Sequence, residues 1–161
     1  MKRIVLLFLA AALLVSLAGC AQTSHGAVFY YARTPDSYAY GQVDGVIAGE
    51  YRDITGHDGD LKYLLTLYFH GPTLENLVSP FPSGISLRSV ERTGENLTVA
   101  LSASLTLLSG VDLTLACACL ARTCFSLTDA QSVTISSEGL GFVSMTLTRD
   151  SLVLSDDTPL P

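Results

Sequence analysis

The chain has 161 residues, 48% of them hydrophobic and 15% charged, a balance that excludes a disordered chain and suffices for one packed domain. The net charge is −6, and −8 once Lys2 and Arg3 are set aside, with no basic stripe to dock nucleic acid or anionic lipid by charge. Trp is absent and His numbers three, so few side chains remain for catalysis or metal binding.

Residues 1–19 have the layout of a secretory leader: Lys2 and Arg3, then an apolar run from Ile4 to Val15, then small residues. The run to Ala18 is shorter than the roughly 20 residues that span a bilayer. It closes on Leu17-Ala18-Gly19-Cys20, which resembles the bacterial lipobox. That resemblance implies a mature chain that begins at Cys20. Diacylglycerol on the thiol and an acyl group on the new amine would place it outside the cytoplasm, tethered to the cell membrane. Two or more acyl chains give stable anchoring where one does not. No second apolar run is expected to cross the bilayer. Residues 20–26 are small and polar and read as a lipidated tether.

From Ala27 to Ala32 the chain is rich in β-formers and reads as a strand. Residues 33–45 carry Pro35, Gly41 and Gly45 and read as an irregular excursion. Val46 to Ile54 reads as a second strand. Asp58 or Asp60 then caps a helix whose Leu61, Leu64, Leu65 and Tyr68 form one apolar stripe, and Gly71-Pro72 stops it. Residues 73–84 read as a loop. Ile85 to Glu91 and Asn96 to Leu101 flank Thr93-Gly94-Glu95 and predict a β-hairpin. A second helix follows Ser109 or Gly110, with Leu113, Ala116, Cys117, Leu120, Ala121 and Cys124 at three-four spacing. Cys119 is the thiol that this spacing sets off the buried face. Residues 132–136 and 142–147 read as strands around a Gly139-Leu140-Gly141 turn, and 150–161 as an acidic, fraying tail. The order predicts an α+β domain over 27–149. It is a compact two-layer arrangement in which a small mixed β-sheet carries two helices.

Few motifs carry chemistry. Cys117-Ala118-Cys119 lacks the two-residue spacing of redox pairs and zinc knuckles, so the thiols read as small buried side chains. No Gly-x-Ser-x-Gly elbow is present. Gly139-x-Gly141 is followed by a strand-like run and not a helix, which removes the dipole that a phosphate needs. His57, Asp58 and Asp60 lack the distal acid of a calcium loop and read as a turn and cap; no metal site is expected. Asn96-Leu97-Thr98 fits a glycosylation sequon, discounted beside a bacterial lipobox. Tyr30, Tyr31, Tyr38, Tyr40 and Tyr51 crowd the first third, as a binding surface or as a sheet with wet hydroxyls.

Several segments together resemble the GerMN domain, the sporulation and spore germination domain of Gram-positive lipoproteins. They are Val28-Phe29-Tyr30-Tyr31, Tyr51-Arg52-Asp53-Ile54, the helix ending Leu67 to Pro72, and Pro82-Ser83-Gly84 before the hairpin. The closing strand Val133-Thr134-Ile135, ending at Glu138-Gly139, completes the set. The chain holds one copy where some relatives hold two. The resemblance implies a compact α/β domain, no catalytic residues, no cofactor beyond the lipid on Cys20, and envelope or sporulation-complex partners. Gly71, Pro72 and Gly84 match its shape-setting positions. The expected function is a lipid-anchored, extracytoplasmic, non-enzymatic interaction module in sporulation or germination. The alternative is a lipoprotein that binds a small ligand or glycan through the tyrosines.

Overall fold

The computed structural model describes residues 26–35, 45–138 and 144–152. The leader, Cys20, the tether to residue 25, Tyr38, Tyr40, the 139–141 turn and the tail beyond 152 lie outside the described residues.

The α+β class holds, but the strands divide into two sheets where one was expected. The first sheet holds β1 (Gly26–Arg33), β2 (Ile47–Asp53) and β3 (Leu77–Val78), in the order β2-β1-β3 and antiparallel throughout. The strand β3 falls inside the segment expected to be a loop. Leu77 is buried there, and two residues suffice to pair with Ala32 and Arg33. The second sheet runs β4 (Leu87–Thr93), β5 (Asn96–Leu101), β6 (Ser132–Ser137) and β7 (Ser144–Thr148). It is mixed: β5 and β6 are parallel and the other pairs antiparallel.

The hairpin forms where the sequence places it, since Thr93 pairs with Asn96 around Gly94 at φ 60°. Glycine accepts that left-handed backbone without a Cβ clash. Alternation then does the sorting. Leu97, Val99 and Leu101 on β5 and Val133 and Ile135 on β6 point inward and are buried. Their neighbours point away from the helices.

The helix α1 (Leu61–Phe69) begins at Asp60, whose carboxylate accepts the Tyr63 N–H at 3.0 Å. It ends at His70, and Gly71 follows at φ 92°. Leu64, Leu65 and Tyr68 face the core, as the spacing requires.

The second helix, α2 (Gly110–Leu127), starts at Ser109, whose side chain makes no capping bond. It is 18 residues long with mean hydropathy 1.4, enough by length and composition to cross a membrane. Its apolar character has another use here. Ala116, Cys117, Leu120, Ala121 and Cys124 join the main core with β1, β5 and β6. Ala118 and Cys119 pack on the other side against Ile47, with Tyr30 and Leu115 beside them. Cys119 is therefore fully buried, against expectation. The helix is covered on two faces over its middle turns, from Ala116 to Cys124, which leaves the odd thiol no wet side to occupy. The described residues end on a short 3₁₀ turn, Arg149–Leu152, which takes in the first three residues of the segment expected to fray, 150–161. Arg149 explains it by donating to the carbonyls of Phe125, Thr128 and Ala130 at 3.0, 2.7 and 3.0 Å, which caps the end of α2.

Candidate functional site

A buried charge cluster ties β2 to the chain that leaves α1. Glu50 and Arg52 are two apart on β2 and share a face. Glu50 is 3% exposed. One of its oxygens accepts from Arg52 Nε at 2.7 Å and Thr73 Oγ1 at 2.7 Å, and the other accepts the Thr73 N–H at 2.9 Å. Arg52 also donates to the Gly71 carbonyl at 2.7 Å. Its guanidinium lies 5.1 Å from the centre of the Phe29 ring and 5.6 Å from that of Tyr31. Burial pushes the Glu50 carboxyl up, but the bonds from Arg52 and Thr73 outweigh it and hold it below the usual carboxylate value. Every strong acceptor in this cluster is thereby occupied. The positive φ at Gly71 sets the carbonyl that Arg52 needs, which gives the Gly71-Pro72 turn a physical role. Gly84 also takes a positive φ, 83°, in the turn before β4. Sequence reading found Arg52 only as part of a strand and missed its partners. An acid and an arginine two apart in a strand that also turns apolar residues inward was the available signal.

The tyrosines do not form one surface. Tyr31 is fully buried and donates to the Tyr68 carbonyl at 3.0 Å, with the two rings stacked 4.8 Å apart. Burial raises its hydroxyl far above the ordinary value. Tyr31 therefore leaves the candidate binding set, and its hydroxyl is not wet. Tyr30 is half-buried with the Arg122 guanidinium 4.6 Å from its ring centre. Tyr51 is 62% exposed and lies across the start of β1, where a Cβ on Gly26 would meet its hydroxyl at 1.7 Å. Of the five, Tyr30 and Tyr51 remain accessible among the described residues.

The edge of β1 is finished by side chains. Its Val28 N–H donates to Ser126 Oγ and its Tyr30 N–H to Thr123 Oγ1, both at 2.9 Å. The Tyr30 carbonyl accepts from Tyr68 at 3.0 Å. The Thr123 hydroxyl in turn donates to the Cys119 carbonyl at 2.9 Å. The helix α2 thus stands in for a missing strand.

The three described thiols are fully buried. Burial pushes Cys117 up to about 11, and Cys119 and Cys124 up to about 12. No disulfide joins these three. His57 stacks on Tyr63 with ring centres 3.8 Å apart, while Asp60 is spent on its cap. Among the described residues, no group of three His, Cys, Asp or Glu side chains is arranged to hold a metal ion.

Two surface features remain. A shallow cleft of about 670 Å³ opens over Leu61, Leu64, Leu97 and Leu127, and the Arg92–Asp129 ion pair crosses its rim. The hydrogen bond from Arg92 holds the Asp129 carboxyl low. The second feature is the outer face of the four-stranded sheet. There Asn96 Oδ1 accepts from Ser132 at 2.8 Å and Thr134 at 3.2 Å, and Thr134 and Thr146 share a hydrogen bond of 3.0 Å.

Fold and site together define a two-sheet α+β domain locked by a buried Glu–Arg–Thr cluster, with no nucleophile paired to a base among the groups described. A family model described as sporulation and spore germination, Germane, matches residues 28–140. The chain belongs to this GerMN-type family. It is also similar to the tandem GerMN domains of the sporulation protein GerM from Bacillus subtilis. That likeness has a TM-score of 0.50 at 17% identity and covers 76% of this chain. It covers 42% of the Bacillus chain, so the present chain spans less than half of that tandem protein. No curated protein matches it.

Proposed function

We propose that this chain is a lipid-anchored, extracytoplasmic module that docks other envelope proteins without catalysing a reaction, in sporulation or spore germination. Membership of the sporulation and germination family over residues 28–140 is the observation that carries this reading. The apolar leader ending in Leu17-Ala18-Gly19-Cys20 supports the anchor. The absorbed state of the buried groups supports a role without catalysis. Glu50 is saturated by Arg52 and Thr73, and the three thiols are held protonated. The placement of Tyr31 in the core weakens the rival reading of a tyrosine-lined ligand site.

The anchor and the docking role separate experimentally. Metabolic labelling with a clickable palmitate analogue should mark the wild-type chain and leave Cys20→Ala unmarked. Equal labelling of both would remove the anchor. In-cell crosslinking across growth stages, followed by mass spectrometry, should enrich envelope or sporulation proteins in a stage-specific way. Recovery of the chain with only lipid-processing enzymes would remove the docking role and leave the anchor standing.

A further inference from the structure

We infer that Arg33, the last residue of β1, receives a glutamate side chain of a docking partner. The inference rests on the docking role proposed above and gives its partner a chemistry. Five of the six arginines among the described residues have contacts within the domain. Arg52 is held by Glu50 and the Gly71 carbonyl, Arg88 faces Glu138 at 3.6 Å, and Arg92 pairs with Asp129. Arg122 lies on the Tyr30 ring, and Arg149 donates to three carbonyls. Arg33 differs. Its Nε is buried and meets no hydrogen-bond partner among the described residues. Scarcity of acids does not explain this, since Asp and Glu number 15 against 9 Lys and Arg. A buried donor without an acceptor bears a desolvation cost that an incoming acceptor relieves.

The surroundings select the acceptor. Arg33 lies between Val46, whose carbonyl accepts its backbone N–H at 3.0 Å, and Leu77, its partner on β3. Val46 and Val78 stay exposed beside it, as does Leu74, whose carbonyl accepts the Leu77 N–H. One guanidinium among aliphatic side chains suits a single carboxylate on an apolar carrier, because its planar fork can donate to both oxygens at once. A polyanion is disfavoured by the net charge of −6. Since Nε is buried, the carboxylate must arrive on an arm. The two methylenes of glutamate supply one, and apolar neighbours in the partner would cover Val46 and Val78. The place in the fold agrees with this use. At about 3.3 Å per residue, β1 carries Arg33 about 23 Å from Gly26, to the pole away from the proposed tether.

The test follows the Arg33 side-chain Nε–H by nitrogen–proton NMR, on the full chain in detergent micelles. The probe is a blocked tripeptide with glutamate between two leucines; its glutamine analogue and sodium acetate are the controls. The glutamate peptide at millimolar concentration is expected to shift this resonance and slow its exchange with water. The glutamine analogue should bind at least about tenfold more weakly. Arg33→Gln should abolish binding, read at the Leu77 amide. So should Val46→Glu, which sets a carboxylate across from Arg33 within the chain and serves if the first variant fails to fold. No shift with the glutamate peptide would overturn the proposal. An equal shift with the glutamine analogue or with acetate would do the same, as would binding that survives in a folded variant. Such a failure removes the Arg33 site alone; the docking role itself stands or falls on the crosslinking experiment.

Discussion

The two sheets are held together by different physics. The four-stranded sheet closes by backbone ladders and by alternation, with Leu97, Val99, Leu101, Val133 and Ile135 all inward and fully or almost fully buried. The three-stranded sheet closes by named polar contacts: Glu50 with Arg52 and Thr73, Tyr31 with Tyr68, Tyr30 with Thr123. A sheet of the first kind tolerates apolar exchange, because burial is non-directional. One of the second kind depends on single atoms, because a buried polar group that loses its partner bears its full desolvation cost.

The largest effect that would break this comparison is at Arg52. Arg52→Ala leaves Glu50 buried and unpaired and should cost about 3–5 kcal/mol, read as a lowered urea midpoint. A loss no larger than that of an exposed salt bridge would show that water reaches Glu50. In the other sheet, Leu97→Ala should cost about 2–5 kcal/mol by opening a cavity, whereas Leu97→Met should cost under about 1.5. Next comes Thr123→Val, which keeps the shape of the side chain but strands the Tyr30 N–H. About 1–3 kcal/mol should be lost. Hydrogen exchange at Tyr30 should rise while exchange at Val99 stays slow.

The acid limb sharpens the same contrast. The folded Glu50 carboxyl lies below its unfolded value of 4.5. Its contribution is therefore complete above that value and is lost as pH falls through the folded one. Wild type should lose stability below about pH 4.5 more steeply than Glu50→Gln, measured by thermal melts from pH 6 to pH 3. The smallest effect concerns the helix between the sheets. With Cys117 near 11 and Cys119 and Cys124 near 12, none of these thiols should react with Ellman's reagent at pH 8 until denaturant is added. Fast labelling of Cys119 in the native state would show that the second side of α2 is open.

The same division explains what the sequence revealed. Periodicity located α1, α2, β5 and β6, because each buries one face by a repeating rule. Gly94 marked the hairpin, and Asp60 marked the start of α1. The family resemblance was legible as well, through short segments in a fixed order. Three things were not. The split into two sheets follows from α2 standing at the edge of β1, where Thr123 and Ser126 take the place of a strand. No period encodes that. The burial of Cys119 and Tyr31 follows from cover on a second side, which a one-stripe reading of a helix or strand cannot register. The role of Arg52 needed Gly71 and Thr73, about twenty residues away in sequence and adjacent only after folding.

The position of β1 has a mechanical consequence. It is the middle strand of its sheet and the first element described, entering the domain at Gly26 beneath the ring of Tyr51. A pull on the chain from its N-terminal side runs along the axis of β1. It loads the pairing with β2 from Gly26 to Ala32, the contacts with β3 and the two hydroxyl bonds to α2 in shear. These bonds lie across the direction of pull, so they must give way together and cannot be unzipped one at a time. The strand by which tension would enter is thus the one that the domain grips from both edges.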